Sequence, residues 1–181
     1  MRIRGRLDQA QPCFSFEFFP PKTDAAMDEL FRTITELASL EPGFVSVTYG
    51  AGGGTRDLTL EMVSRIKREL GIEVMAHLTC AGHSRDELSG MLDRLREDGI
   101  ENVLALRGDR RPEDPPVGPD GLAYANELVE LIRGRDHPIC VGGAAYPEGH
   151  LECPSRDEDL LNLKRKVDAG ADFLVDRKSV V

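Results

Sequence analysis

Short β-rich runs alternate along the chain with longer stretches of helical spacing. The runs 13–18, 44–48, 73–79, 102–106, 138–144 and 172–175 are rich in Val, Ile, Phe, Leu or Thr and bounded by Gly, Pro or charge, which predicts strands. Between them, 24–39, 57–70, 84–98, 122–133 and 157–169 repeat apolar residues at helical intervals. Met27, Leu30, Phe31, Ile34 and Leu37 mark one face of the first helix; Leu88, Met91, Leu92 and Leu95 mark one face of the third. Ser84, with Glu87 three residues on, predicts a capping box. Gly71, Gly99, Gly134 and Gly170 stand where helices should stop.

The order is therefore strand–helix five times, then a sixth strand, which is the pattern of an α/β fold with a parallel sheet and right-handed crossovers. Strand starts recur roughly every 30 residues, a rhythm shared by doubly wound sheets and (β/α)8 barrels. A complete barrel at this pitch needs roughly 250 residues. Either the sheet is open, or the chain is a barrel that stops early. The one long loop, 108–121, holds four prolines and three glycines and reads as a mobile surface segment.

Composition narrows the class. The 181 residues make one domain's worth of chain, with 40% apolar and 30% charged residues. No apolar run approaches the roughly 20 residues needed to cross a bilayer, so no membrane partner is expected. The basic start Met1-Arg-Ile-Arg-Gly-Arg6 leads directly into Leu7-Asp8-Gln9, which does not fit a signal peptide. With 23 basic against 32 acidic residues, net −9, a nucleic-acid binder is not expected either. Cys13, Cys80, Cys140 and Cys153 lie far apart without a C-x-x-C, and read as reduced thiols in a cytoplasmic protein rather than a zinc site.

In parallel α/β proteins the chemistry sits at the carboxyl ends of the strands. Those ends here carry Glu17, then Thr48-Tyr49-Gly50, then His77 and Thr79, then Arg107-Gly108-Asp109, then Tyr146 through His150. In Phe14-Ser-Phe-Glu-Phe18 the aromatics share one face, leaving Ser15 and Glu17 on the other. A carboxylate among aromatic and proline neighbours suits a general acid; a structural carboxylate paired with a cation such as Arg107 fits the strand pattern equally. Gly50-Ala-Gly-Gly-Gly-Thr55 follows a strand and opens a helix, yet it lacks both G-x-G-x-x-G and a Walker Lys-Ser/Thr. His77 and Cys80 have opposite parity on a strand and do not form a metal pair; no metal site is expected. On the last helix, Asp159, Asn162 and Lys166 with Arg165 form a polar stripe able to meet a ligand's phosphates, while Leu160, Leu161, Leu163 and Val167 are expected to fill the apolar side.

Six blocks together resemble the bacterial, flavin-dependent methylenetetrahydrofolate reductase family. They are Phe16-Glu-Phe-Phe-Pro-Pro21, Phe44-Val-Ser-Val-Thr-Tyr-Gly-Ala51, His77-Leu-Thr-Cys80, Ala105-Leu-Arg-Gly-Asp109, Ala145-Tyr-Pro-Glu-Gly-His150 and Asp159-Leu-Leu-Asn-Leu-Lys-Arg-Lys-Val-Asp-Ala-Gly170. They run in family order from about residue 13 to about residue 175. The resemblance implies a (β/α)8 TIM-barrel type fold, here incomplete, holding FAD and assembling as a homo-oligomer at full length. It implies a ping-pong reaction in which NAD(P)H reduces FAD and leaves, and 5,10-methylenetetrahydrofolate then takes the hydride to give 5-methyltetrahydrofolate.

Carried over block by block, Glu17 is the general acid that helps open the methylene bridge, and Asp109 sits near the flavin and the folate pterin. Thr48 matches a nicotinamide-side contact. Tyr49, Ala51, His77, Arg107, Gly108, Tyr124, Ala125, Tyr146, His150, Asp159, Asn162, Arg165 and Lys166 match FAD contacts. The match places residues 1–175 in the N-terminal part of one barrel domain and leaves 176–181 as a tail foreign to the family. There the family continues Thr-Gln, and Arg177 stands in place of its folate-binding Gln. The alternative to an active reductase is thus a non-catalytic truncated fragment, marginally stable and binding FAD weakly or not at all.

Overall fold

The computed structural model describes residues 1–9, 11–21, 23–49, 56–109 and 116–176. Its elements, in chain order, are α1 (Ile3–Leu7), β1 (Ser15–Phe18), α2 (Asp24–Ala38), β2 (Phe44–Val47), α3 (Arg56–Arg65, continued by a π-helical turn Ile66–Leu70), β3 (Val74–Thr79), α4 (Arg85–Glu97), β4 (Asn102–Leu106), α5 (Ala125–Arg133), β5 (Cys140–Ala145), α6 (Arg156–Asp168) and β6 (Phe173–Asp176). Every predicted strand and helix is present, with bounds moved by a few residues. Of the long loop, residues 110–115 lie outside the described residues, as do 50–55 of the glycine-rich turn and 177–181 of the tail.

All six strands are parallel and stand in the order β1-β2-β3-β4-β5-β6. This order settles the choice left open by the strand rhythm. A doubly wound sheet reverses its order at a switch point and so carries helices on both faces. A sequential order with right-handed crossovers sends every helix to the same face. The molecule is an incomplete (β/α)8 TIM-barrel type fold.

Alternation along the strands builds two cores. Outward residues Phe18, Val45, Val47, Val74, Ala76, Leu78, Val103, Ala105 and Val141 pack with Met27, Phe31, Ile34, Leu88, Leu92, Leu95, Leu128 and Ile132 of the helices. Inward residues Phe44, Met75, Leu104 and Cys140 form a second, smaller cluster, with Phe173 and Val175 of β6 against it. Each fully buried Leu or Ile in these layers contributes about 1.5–3 kcal/mol. Gly142 makes room inside: a Cβ there would lie 2.8 Å from Cζ of Phe173, so the ring occupies the space that a side chain would take.

The short α1 is absent from the sequence expectations. It plugs the inner cluster from the amino-terminal ends of the strands with Ile3, which is fully buried. The Ile3 N–H donates to Oδ1 of buried Asn102 at 2.7 Å, and the Met1 ammonium pairs with Glu73 at 2.6 Å and with Glu101.

Helix ends follow the expected chemistry with one exception. Ser84 and Glu87 form the capping box. Gly71, Gly99 and Gly170 take positive φ values of 67°, 72° and 113°, but Gly134 stays right-handed at φ −70°. Helix α6 corrects an expectation: Leu160, Leu161 and Val167 are exposed and no residue of the helix is fully buried. Among the described residues nothing pairs with the outer edge of β6, so no further unit covers the apolar side of α6.

Candidate active site

The carboxyl ends of the strands open into a cavity of about 1270 Å³. Thr48 and Tyr49 reach it from the end of β2, His77 and Thr79 from β3, and Arg107, Gly108 and Asp109 from the end of β4. Tyr124 and Ala125 enter from the start of α5, Tyr146 and His150 from the loop after β5, and Asp159, Asn162, Arg165 and Lys166 from α6. Every described residue expected to contact the cofactor thus lines a single cavity; Ala51 lies outside the described residues.

Glu17 stands beside that set. Its Oε2 lies 3.5 Å from Nε2 of buried His77, which joins the inward faces of β1 and β3. The Glu17 side chain is 43% exposed, so its aromatic neighbours desolvate it only in part. The pairing with Arg107 allowed by the strand pattern does not occur. Arg107 Nη1 donates to Oε2 of Glu152 at 2.7 Å instead, and its Nε to the Gly108 carbonyl. The hydrogen bond to Glu152 raises the Arg107 pKa further, and Arg107 holds the Glu152 carboxyl below the usual glutamate range.

Backbone shape serves the same rim. Gly108 has φ +87°, and a Cβ there would meet Cβ of Thr79 at 3.0 Å, so only glycine lets the chain turn this closely over β3. The loop after β5 is folded on itself: the Tyr146 and His150 rings stack edge to face at 4.8 Å, and the His150 N–H donates to Oδ2 of Asp159. Lys166 Nζ donates to the Ala144 carbonyl at 2.5 Å; burial lowers its pKa, and nearby Asp159 opposes the shift. Arg165 Nη1 donates to Oδ1 of Asn162 at 2.6 Å. The Thr48 hydroxyl is buried with no hydrogen-bond partner among the described residues, and faces the cavity ready for one.

His83 and Glu152 are among the wall residues that sequence reasoning missed. His83 is buried against Tyr49, whose hydroxyl lies 2.9 Å from its Nε2. Its only signal was its place before the capping box, four residues ahead of Glu87. Glu152 carried less: a lone acid two residues past His150, which nothing local ties to Arg107 across 45 positions.

The model of the methylenetetrahydrofolate reductase family matches residues 2–177. The chain belongs to that family. It is 48% identical over 164 residues to 5,10-methylenetetrahydrofolate reductase of Salmonella typhimurium, a match covering 90% of this chain and 53% of the relative. It is 42% identical over 193 residues to methylenetetrahydrofolate reductase (NADH) 1 of Arabidopsis thaliana, covering 96% and 31%. The chain thus spans about half the length of its bacterial reductase relatives.

Solved structures share the fold at low identity. A phosphoenolpyruvate phosphomutase from Streptomyces platensis superposes with a TM-score of 0.65 at 18% identity, covering 96% of this chain and 62% of that one. An uncharacterized Clostridium thermocellum protein that binds two copies of 5-methyl-5,6,7,8-tetrahydrofolic acid superposes with a TM-score of 0.61 at 15% identity, covering 94% and 55%. Among the described residues no helix is long and apolar enough to cross a membrane.

Proposed function

We propose that this chain is the N-terminal, FAD-binding part of a reductase barrel that converts 5,10-methylenetetrahydrofolate to 5-methyltetrahydrofolate with NAD(P)H. The observation that carries the reading is the convergence of Thr48, Tyr49, His77, Arg107, Asp109, Tyr146, Asp159 and Lys166, drawn from four strand ends and one helix, on one cavity. The cavity exceeds the roughly 300–1000 Å³ usual for drug-sized ligands, which suits a dinucleotide. Its chemistry fits as well: Arg107, Arg165 and Lys166 supply cations for phosphates, Tyr49 and Tyr146 supply rings, and the buried Thr48 hydroxyl awaits a polar partner.

FAD would be held by the cations and rings of this cavity and would supply hydride transfer between NAD(P)H and the folate. The protein's own residues do the rest. Glu17 gives a proton to the folate as its methylene bridge opens, and His77 holds the carboxylate on the inward face of the sheet. Asp109 places a fixed negative charge at the rim, which opposes negative charge building on a ring beside it and so lowers that ring's potential. Asp159 fixes the loop after β5 through the His150 N–H.

Residues 1–175 form a single domain with this role, working as a cytoplasmic homo-oligomer once the barrel is complete. Among the described residues β1 and β6 are unpaired on their outer edges, which favours a second statement: substrate turnover belongs to the closed barrel, and these strands alone form a non-catalytic half. The test is a flavin fluorescence titration of the chain alone and of a fusion carrying the family's continuation through strand eight. Weak, saturable quenching by the chain, and tight binding with turnover by the fusion, are expected. A fusion that folds but neither binds FAD nor reduces the folate would overturn the reading.

A further inference from the structure

We infer that His83 is a positioning residue for Tyr49: through it, the capping box at the start of α4 fixes how a wall of the cavity is presented to a planar ring. The inference rests on the ligand reading above for its ring, and on geometry alone for the pair.

The chain of contacts begins at the helix cap. The Ser84 N–H donates to Oε2 of Glu87 at 2.8 Å and the Ser84 hydroxyl to the same oxygen at 3.2 Å, while the Glu87 N–H donates back to the Ser84 hydroxyl. These bonds immobilise a carboxylate that would otherwise be free to swing. The same Oε2 lies 4.0 Å from Nδ1 of His83. A fixed negative charge on that side favours the proton on Nδ1, and which ring nitrogen carries the proton is set by such partners. Nε2 is then the acceptor, and the Tyr49 hydroxyl, 2.9 Å away, is the donor.

The second contact fixes the ring itself. The Tyr49 and His83 rings meet edge to face, with centroids 5.8 Å apart and an interplanar angle of 77°. Sδ of Met91 on α4 lies 3.8 Å from the same hydroxyl. The polar end of Tyr49 is thereby engaged by His83, which lines the same cavity, and lies close to Met91 of α4. With its hydroxyl engaged by His83, the tyrosine has its ring left to offer a ligand. The class that such a wall takes is a flat heteroaromatic system, for which a ring held in one orientation loses little freedom on binding.

Two measurements test this. The first needs no ligand: long-range proton–nitrogen NMR of the four histidines. His83 is expected in the Nδ1–H form, with its Nε2 resonance displaced by Tyr49→Phe. The second is FAD affinity in a double-mutant cycle. His83→Leu should weaken FAD by about tenfold, His83→Gln should recover most of that loss, and His83→Leu should add nothing in a Tyr49→Phe background. An unmoved His83 resonance in Tyr49→Phe, or equal losses from His83→Leu in both backgrounds, would overturn the positioning role. If no variant, the parent included, binds FAD, the cavity reading falls while the NMR arm still decides the pair.

Discussion

Nε2 of His77 on β3 lies 3.5 Å from Oε2 of Glu17 on β1, although β2 stands between the two strands. Curvature of the sheet brings these inward side chains together. The His77 side chain is almost wholly buried while Glu17 keeps access to solvent, so the pair joins a protected imidazole to a carboxyl group that solvent can reach. On the proposed role, Glu17→Gln in a protein whose sheet is closed should abolish methylenetetrahydrofolate reduction and leave NAD(P)H oxidation by a quinone nearly intact, because only the folate step would need a proton from Glu17. Steady-state assays of the two half-reactions check this. Equal loss of both would give Glu17 a structural role.

Glu152 occupies the guanidinium that an anionic ligand would use. Glu152→Gln should therefore tighten pyrophosphate or FAD binding by about two- to fivefold, the range expected of a largely exposed ion pair. Arg107 depresses the Glu152 pKa, so the pair is intact at neutral pH and is lost only as pH falls below the ordinary glutamate value of 4.5. Isothermal titration at neutral pH reads the effect. Weaker binding by the variant would show that Glu152 assists the ligand.

Asn102 is fully buried and joins three segments: its Oδ1 accepts from the Ile3 N–H at 2.7 Å, and its Nδ2 donates to the Met1 carbonyl at 3.1 Å and to Glu73 at 3.0 Å. Asn102→Ala leaves these groups without their partner and should cost about 2–3 kcal/mol. Urea denaturation measures it. A loss below that of an exposed substitution would mean that α1 does not dock as described.

Burial pushes the Cys80 thiol up to about 11, with a backbone hydrogen bond and, less strongly, the Arg107 charge only partly opposing. Cys80 should resist alkylation at pH 8 while Cys13 and Cys153, both partly exposed, react. A raised pKa also sets a sign for stability. The protonated thiol's contribution is complete below its ordinary value of 9.0 and is lost as pH climbs through about 11. Mass spectrometry after timed alkylation, and a parallel Cys80→Ala stability profile between these values, check both statements.

The sequence by itself determined the elements from β1 onward and the ends at which the chemistry gathers. Alternation such as Phe16-Glu17-Phe18 is a local property, since successive side chains must leave a strand on opposite faces. Ser84 and Glu87 meet within one helical turn, and Gly108 turns where no other residue fits. The motif order likewise brought the expected cofactor contacts to one cavity, because parallel strands deliver their loops to one face whatever the curvature. Tertiary structure decided what depends on distance across the sheet. Whether the sheet was wound on two faces or curved into part of a barrel followed from strand order, which no single segment encodes. That Glu17 meets His77 and not Arg107, and that Arg107 meets Glu152, depends on sheet curvature and on the fold of the loop after β5. The exposure of Leu160, Leu161 and Val167 was equally unreadable from α6, since an amphipathic stripe states which side would be buried and says nothing of whether a neighbour is there to bury it.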